Sequence, residues 1–231
     1  AFVVPAIISL ACGLLFAWFA PRELAAPARR PASIAAPPPG VSLARLFLIM
    51  TLAATSGSLL FNFSTNSNYE LLASRFAEIS RDPAQLGLLL ALVYAVSSFT
   101  QLIVGNLIDR HPLKRLYVGL ICLQLACLLL AVHTEGWVFY AAQILFMAAI
   151  FGSIPFSDAM IVRFVDDRMR SRVSGMRLAV SLGASSLAVW LIGPVVKQAG
   201  FSALLWVMAA TSMVTLLVVS RLPSTAAPTP P

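Results

Sequence analysis

The sequence predicts an all-α protein, a polytopic bundle of helices in a membrane. Three observations predict it. Of 231 residues, 59% are hydrophobic and only 11% are charged, against about a quarter charged in ordinary soluble domains. The apolar residues gather into seven runs that meet or approach the roughly 20 residues a helix needs to cross a hydrocarbon core. The formal charge of +7 sits at the ends of those runs and not on one basic face with interleaved aromatics. That distribution argues against nucleic acid as a partner and for the lipid bilayer.

The first run covers residues 2–20. It has no basic leader, and the bulky Trp18 stands at −3 from Ala20, the one plausible cleavage point of a signal peptide. It is therefore expected to be a membrane helix of a chain that extends upstream. Residues 21–42, "PRELAAPARRPASIAAPPPGVS", carry six prolines and three arginines. Proline fixes φ and removes a donor, so this segment is expected to be an extended tether. Six further runs follow, near residues 44–69, 86–108, 116–133, 137–162, 174–196 and 202–221. They form one block over 43–222, and residues 223–231 are expected to be a disordered tail.

Cations orient these runs. With the tether on the cytoplasmic side, alternate loops put Arg22, Arg29, Arg30, Arg45, Arg110, Lys114, Arg115, Arg163, Arg168, Arg170, Arg172, Arg177 and Arg221 on that side. Only Arg75, Arg81 and Lys197 remain outside, so thirteen of the 16 cations obey the positive-inside rule. Linker and carboxy terminus are thus expected in the cytoplasm, and the protein in the cell membrane, the inner membrane if the source is bacterial.

The most charged turn is "GNLIDRHPLKR", residues 105–115. Gly105 is expected to let the helix end approach a neighbour, and Asp109 to cap or face the positive end of the helix beginning near Leu116. Gly105, Asp109, Arg110, Lys114 and Arg115 resemble the cytoplasmic loop signature of the major facilitator superfamily, G-x-x-x-D-R-x-G-[RK]-[RK]. Pro112 replaces its second glycine and Leu113 its first basic residue, as in the weaker copy between helices eight and nine. "DDRMRSRVSG", residues 166–175, resembles the family's arginine-rich loop between helices ten and eleven. The resemblance implies a major-facilitator-type six-helix carboxy-terminal half plus one preceding helix, the sixth through twelfth of twelve. The tether is then the central loop, and the missing amino-terminal half is a partner.

Polar residues give an independent test. Thr55, Ser58, Asn62, Thr65 and Tyr69 advance along one helical face. Tyr94, Ser97 or Ser98, Gln101 and Gly105 do so in the next run; the fifth run carries Gln143, Ser153, Ser157 and Asp158, and the sixth Ser181, Ser185 and Ser186. The fourth offers little beyond Gln124, and the last only Thr211, Ser212 and Thr215. In the family, helices seven, eight, ten and eleven line the path while nine and twelve face lipid, which matches this division. Asn62, Asn66, Tyr69, Tyr94, Gln101 and Gln143 are the expected path residues, because several amides on one helix are costly in lipid without water or ligand. The alternative is helix packing, with hydroxyls bonded back to their own backbone. Packing is favoured for Gly175, Ala179 and Gly183, which repeat every four residues.

Asp158 has two readings of equal weight. An acid within a membrane run, three residues after Pro155, is a candidate for proton coupling. It lies about 30 Å along the helix from Trp137, near a surface, where an ion pair with Arg163 or Arg177 serves equally. Glu70 reads as a solvated surface acid, and neither His111 nor His133 is expected to be a ligand. Cys12, Cys122 and Cys127 all lie in apolar runs, which supports neither a metal site nor disulfides. The motifs of intramembrane metalloproteases, serine hydrolases and ATP-driven pumps are absent from the sequence. No cofactor is expected and no enzyme. The resemblance implies a secondary transporter moving a small solute by alternating access, with protons as coupling ion. Export of an amphipathic compound is the leading expectation, since the path has amides and aromatics but no central cation. Uptake of a metabolite, or a non-transporting scaffold or membrane enzyme, are the alternatives.

Overall fold

A computed structural model describes residues 3–19, 43–165 and 167–222. The expected tether at 21–42 and tail at 223–231 lie outside the described residues, as do the side chains of Arg163 and Arg168. Six helices make up the rest: α1 Val3–Phe19, α2 Leu43–Arg75, α3 Pro83–Arg110, α4 Leu113–His133, α5 Gly136–Phe164 and α6 Asp167–Ser220. No strand occurs among the described residues. Helix α1 is a 17-residue apolar helix in a unit of its own. The other five form a second unit, and each is long and apolar enough to cross a membrane.

The sequence punctuates these helices clearly. Asp82 caps α3 by accepting from the Ala84 amide at 3.0 Å, and Pro83 occupies the first turn, where its missing N–H costs nothing. Pro112 then stops α3, leaving a two-residue turn that turns α4 back antiparallel. Helix α2 runs six residues beyond the expected end at Tyr69. The reason is that Leu71, Leu72 and Phe76 continue the buried apolar face past the polar stretch Asn66–Glu70.

Helix α6 holds both of the runs expected at 174–196 and 202–221, as two limbs that meet at Gly200. Its 54 residues would span about 80 Å if straight, more than twice a bilayer core. Gly200, at φ 76 and ψ 177, breaks it in a region open essentially to glycine alone. Cross-contacts fix the fold-back. In the first limb Ser181 and Ser185 meet Ser58 of α2. In the second, Ser202 meets Arg75, Ser212 meets Gln124, and the Leu222 carbonyl beyond its end meets Lys114. The limbs are therefore antiparallel spans joined at one residue. The first limb also begins seven residues early, because the arginine-rich stretch expected as a loop holds no helix breaker before Gly175.

Within the bundle α5 carries α3 and α4, while α2 packs on α6. At Gly152 of α5 an added Cβ would lie 3.1 Å from Val104, 3.3 Å from Leu120 and 3.3 Å from Thr100. A small residue there lets both neighbours close on α5. Two apolar clusters result. One, around Phe63, Leu72, Phe139 and Met208, lies toward the Arg75 end. The other, around Met50, Tyr117, Phe156 and Val219, lies toward the charged turn.

Candidate functional site

The middle of α2 concentrates polar side chains, and its first product is a hydrogen-bonded node with α6. Ser58 Oγ lies 2.7 Å from Ser185 Oγ, and Asn62 Nδ2 donates to Ser185 Oγ and to the Ser58 carbonyl, both at 2.9 Å. Asn66 Nδ2 donates to the Asn62 carbonyl at 2.9 Å and Thr65 Oγ1 to that of Phe61 at 2.7 Å. The amides expected to be costly in lipid thus return a donor to the carbonyl one turn back, which removes much of that cost. Among the described residues, neither Asn62 nor Asn66 engages its Oδ1 acceptor. Ser64 and Ser67 bond back in the same way, to Leu60 and Phe63.

Beside this node runs an aromatic layer. The Phe151 ring centre lies 5.4 Å from that of Phe61 and 6.0 Å from that of Tyr94, and Tyr94 Oη reaches the Thr65 carbonyl at 3.5 Å. The structure thus brings Asn62 and Tyr94 to one level of the bundle. Asn66 and Tyr69 are exposed nearby on α2, and Gln101 is half-buried on α3.

Gln143 departs from the expected wall position. It is wholly buried, and its Nε2 donates to Asn68 Oδ1 at 2.6 Å, tying α5 to α2. Its own Oε1 and Asn68 Nδ2 stay without a partner. Asn68 itself was not anticipated, because it sits off the polar stripe, on the packed side of α2.

Below the node opens a cleft of about 260 Å³ between α2, α5 and the first limb of α6. Ser58, Ser153, Ser157 and Ser181 line it, and Tyr117 reaches it from α4. At its edge Arg177 Nη2 holds Asp158 Oδ1 at 2.9 Å. Of the two acid readings, the ion pair is present, with Arg177. The side chain of Asp158 is nevertheless 73% exposed while that of Arg177 is 17% exposed, so the carboxylate keeps an open side toward any ligand.

The charged turn behaves differently from expectation. Helix α4 is capped by Pro112 without a side-chain bond, so Asp109 caps nothing; it lies exposed in the last turn of α3 beside Arg110. An added Cβ at Gly105 would meet nothing within 4 Å among the described residues. Lys114 Nζ donates to the Leu222 carbonyl at 2.6 Å, a cation at a helix carboxy terminus where the dipole favours it. Arg115 is exposed. The small-residue series also departs from packing within this bundle. Gly175, Ala179 and Gly183 are all exposed, and open space surrounds both glycines. The packed face of that limb runs instead through Ser181, Ser185 and Ala188.

Two polar contacts escaped the sequence reading. Gln124 Nε2 donates to Ser212 Oγ at 2.6 Å, both buried, so polar residues of the two barest runs face each other inside the bundle. Arg75, counted above only as an outer cation, bonds Glu135 Oε1 at 3.2 Å, the Val132 carbonyl at 3.3 Å and Ser202 Oγ at 2.8 Å. Among the described residues no cluster of His, Cys, Asp or Glu suits a metal ion.

Comparison with known proteins agrees with this architecture. The family model described as Major Facilitator Superfamily matches residues 60–231, well over half of the chain. No curated protein matches the chain.

Proposed function

The chain belongs to the major facilitator superfamily, a family of secondary transporters, and from that premise we propose that it forms the carboxy-terminal half of a proton-coupled exporter. Helix α1 ends the amino-terminal bundle, the proline- and arginine-rich segment at 21–42 is the cytoplasmic linker, and α2–α6 rock as one body against the missing half in the cell membrane. The linker and the carboxy terminus face the cytoplasm.

The observation that carries this reading is the polar tract from Asn66 through Asn62 and Ser58 to the serine-lined cleft and the Asp158–Arg177 pair. Such a tract inside an apolar bundle offers a solute hydrogen bonds in place of water. Asn62, Asn66, Tyr69, Tyr94 and Gln101 line the path, Gln143 supports α2 from behind, and Asp158 exchanges the coupling proton. Asp109 and Arg110 latch the cytoplasmic face against the other half. A second reading, uptake of a small metabolite, draws support from the cleft's volume of about 260 Å³, just below the roughly 300–1,000 Å³ of sites that hold drug-sized ligands.

The test is reconstitution of the transporter that contains this chain into proteoliposomes under an imposed pH gradient, with luminal pH followed while a solute panel is added. One solute class should dissipate the gradient, and Asn62→Leu should abolish that flux at normal protein level. Asp158→Asn should leave solute exchange but remove its coupling to protons. Solute movement that ignores the gradient would end the coupling assignment, and unchanged flux in Asn62→Leu would end the path assignment.

A further inference from the structure

Helices α3 and α4 are joined by only His111 and Pro112, yet they barely touch each other and both lean on α5. Between them, at the charged-turn end, opens a groove of about 420 Å³, larger than the serine-lined cleft and separate from it. Phe156 of α5 forms its floor, with Leu107 of α3 and Leu116 and Leu123 of α4 as walls. Gly119 lies midway along the α4 wall, and a Cβ there would meet nothing within 4 Å. The groove is therefore open where a side chain of ordinary size would have filled it.

Its mouth is basic. His111 and Arg115 line it, and both are exposed. Lys114, the neighbouring cation, is committed to the Leu222 carbonyl. Arg115 has no acidic partner among the described residues. Asp109 and Arg110, at the end of α3, offset one another in charge, which leaves Arg115 to set the sign at the opening.

An apolar slot that ends at an unpaired guanidinium, in a bundle surrounded by lipid, complements one kind of molecule. A phosphate suits the planar donor fork of arginine, and basic pockets between membrane helices bind anionic headgroups. We infer that the α3/α4 groove holds an anionic phospholipid, its phosphate on Arg115 and one acyl chain laid past Gly119 onto Phe156. A phosphocholine lipid fits the slot equally but carries its own cation beside the phosphate, so it gains less from Arg115. This site is independent of the transport path and does not require the proposed function.

The chain in detergent is offered phosphatidylglycerol or phosphatidylcholine, and retained lipid is counted by native mass spectrometry. Phosphatidylglycerol should be retained about fivefold better, the preference one cation near a headgroup supplies. Arg115→Gln should lower it to the phosphatidylcholine level. Gly119→Phe, which fills the slot and keeps the cation, should remove both lipids. Arg81→Gln, an exposed cation at the other end of the bundle, should change nothing. Helix content by circular dichroism establishes that each variant is folded, and the Arg115→Gln and Arg81→Gln pair decides the matter even if Gly119→Phe does not fold. Equal retention of the two lipids, an equal loss in Arg81→Gln and Arg115→Gln, or full retention in folded Gly119→Phe overturns the site. Displacement of the lipid by inorganic phosphate alone, with the slot left empty, overturns it in favour of a soluble anion.

Discussion

The two ends of the five-helix unit are built on opposite plans. At the Arg75 end, one guanidinium that is 12% exposed joins α2, the α4–α5 turn and the tip of α6. Phe76, Trp137 and Tyr140 meet edge to face beside it, with centroids 5.3 to 5.9 Å apart. Tyr140 Oη adds a bond to the Leu89 carbonyl at 2.9 Å, so α3 is tied in as well. At the charged-turn end, the two clefts described above separate the helices, and the carboxylate of the Asp158–Arg177 ion pair is largely open to its surroundings. The helices are held closely at one end and parted at the other. Polar groups tie helices together at the first end and line openings at the second, although the residue types are the same.

The largest expected effect comes from opening the closed end. Arg75→Met removes three bonds to a nearly buried cation and leaves Ser202 and the Val132 carbonyl unanswered; it should cost about 3 kcal/mol, read as a lower melting temperature in detergent. Gly200→Ala comes next, at about 2 kcal/mol, because a Cβ is strained at φ 76; the same melting measurement checks it, and a loss near zero would mean the tip rearranges freely. Gln124→Leu should cost about 1 kcal/mol, since Ser212 retains its bond to the Met208 carbonyl. A double-mutant cycle with Ser212→Ala isolates that coupling. The smallest effect belongs to the open end: Asp158→Asn should change stability by less than about 1 kcal/mol, as exposed ion pairs do. A loss as large as that of Arg75→Met would make the two ends equivalent and break the contrast.

How much of this was legible beforehand depends on the kind of signal. Helix existence and number followed from run length, since hydrocarbon thickness acts on each segment separately. The runs expected at 86–108 and 116–133 lengthen to Pro83–Arg110 and Leu113–His133, because the capping Asp82 and the stop at Pro112 stand outside the apolar runs, and α2 lengthens where its buried face outlasts the apolar run, from Leu71 toward Phe76. That Ser58 and Asn62 share one face of α2 was legible, because one helix face follows from spacing alone. What each side chain meets did not follow. Asn68 with Gln143, Gln124 with Ser212 and Arg75 with Ser202 are pairings between residues 75 to 127 apart in sequence. No periodicity within one helix encodes them. The small-residue series Gly175, Ala179 and Gly183 lies exposed within this unit, since spacing shows that a face is flat but not which neighbour lies on it.

One consequence of the break at Gly200 concerns how the bundle is made. With a single residue joining the limbs of α6, and Lys197 the only charged side chain between Arg177 and Arg221, the orientation proposed above leaves almost nothing hydrophilic to be carried across at this tip during synthesis. The two spans can enter the bilayer as one preformed hairpin, tip first, at the expense of moving a single ammonium group. They leave no loop at that surface for a protease or an antibody to grip. An epitope inserted at Gly200 would therefore burden biogenesis more than one inserted between α2 and α3, where the chain already crosses with Glu78, Arg81 and Asp82 in tow.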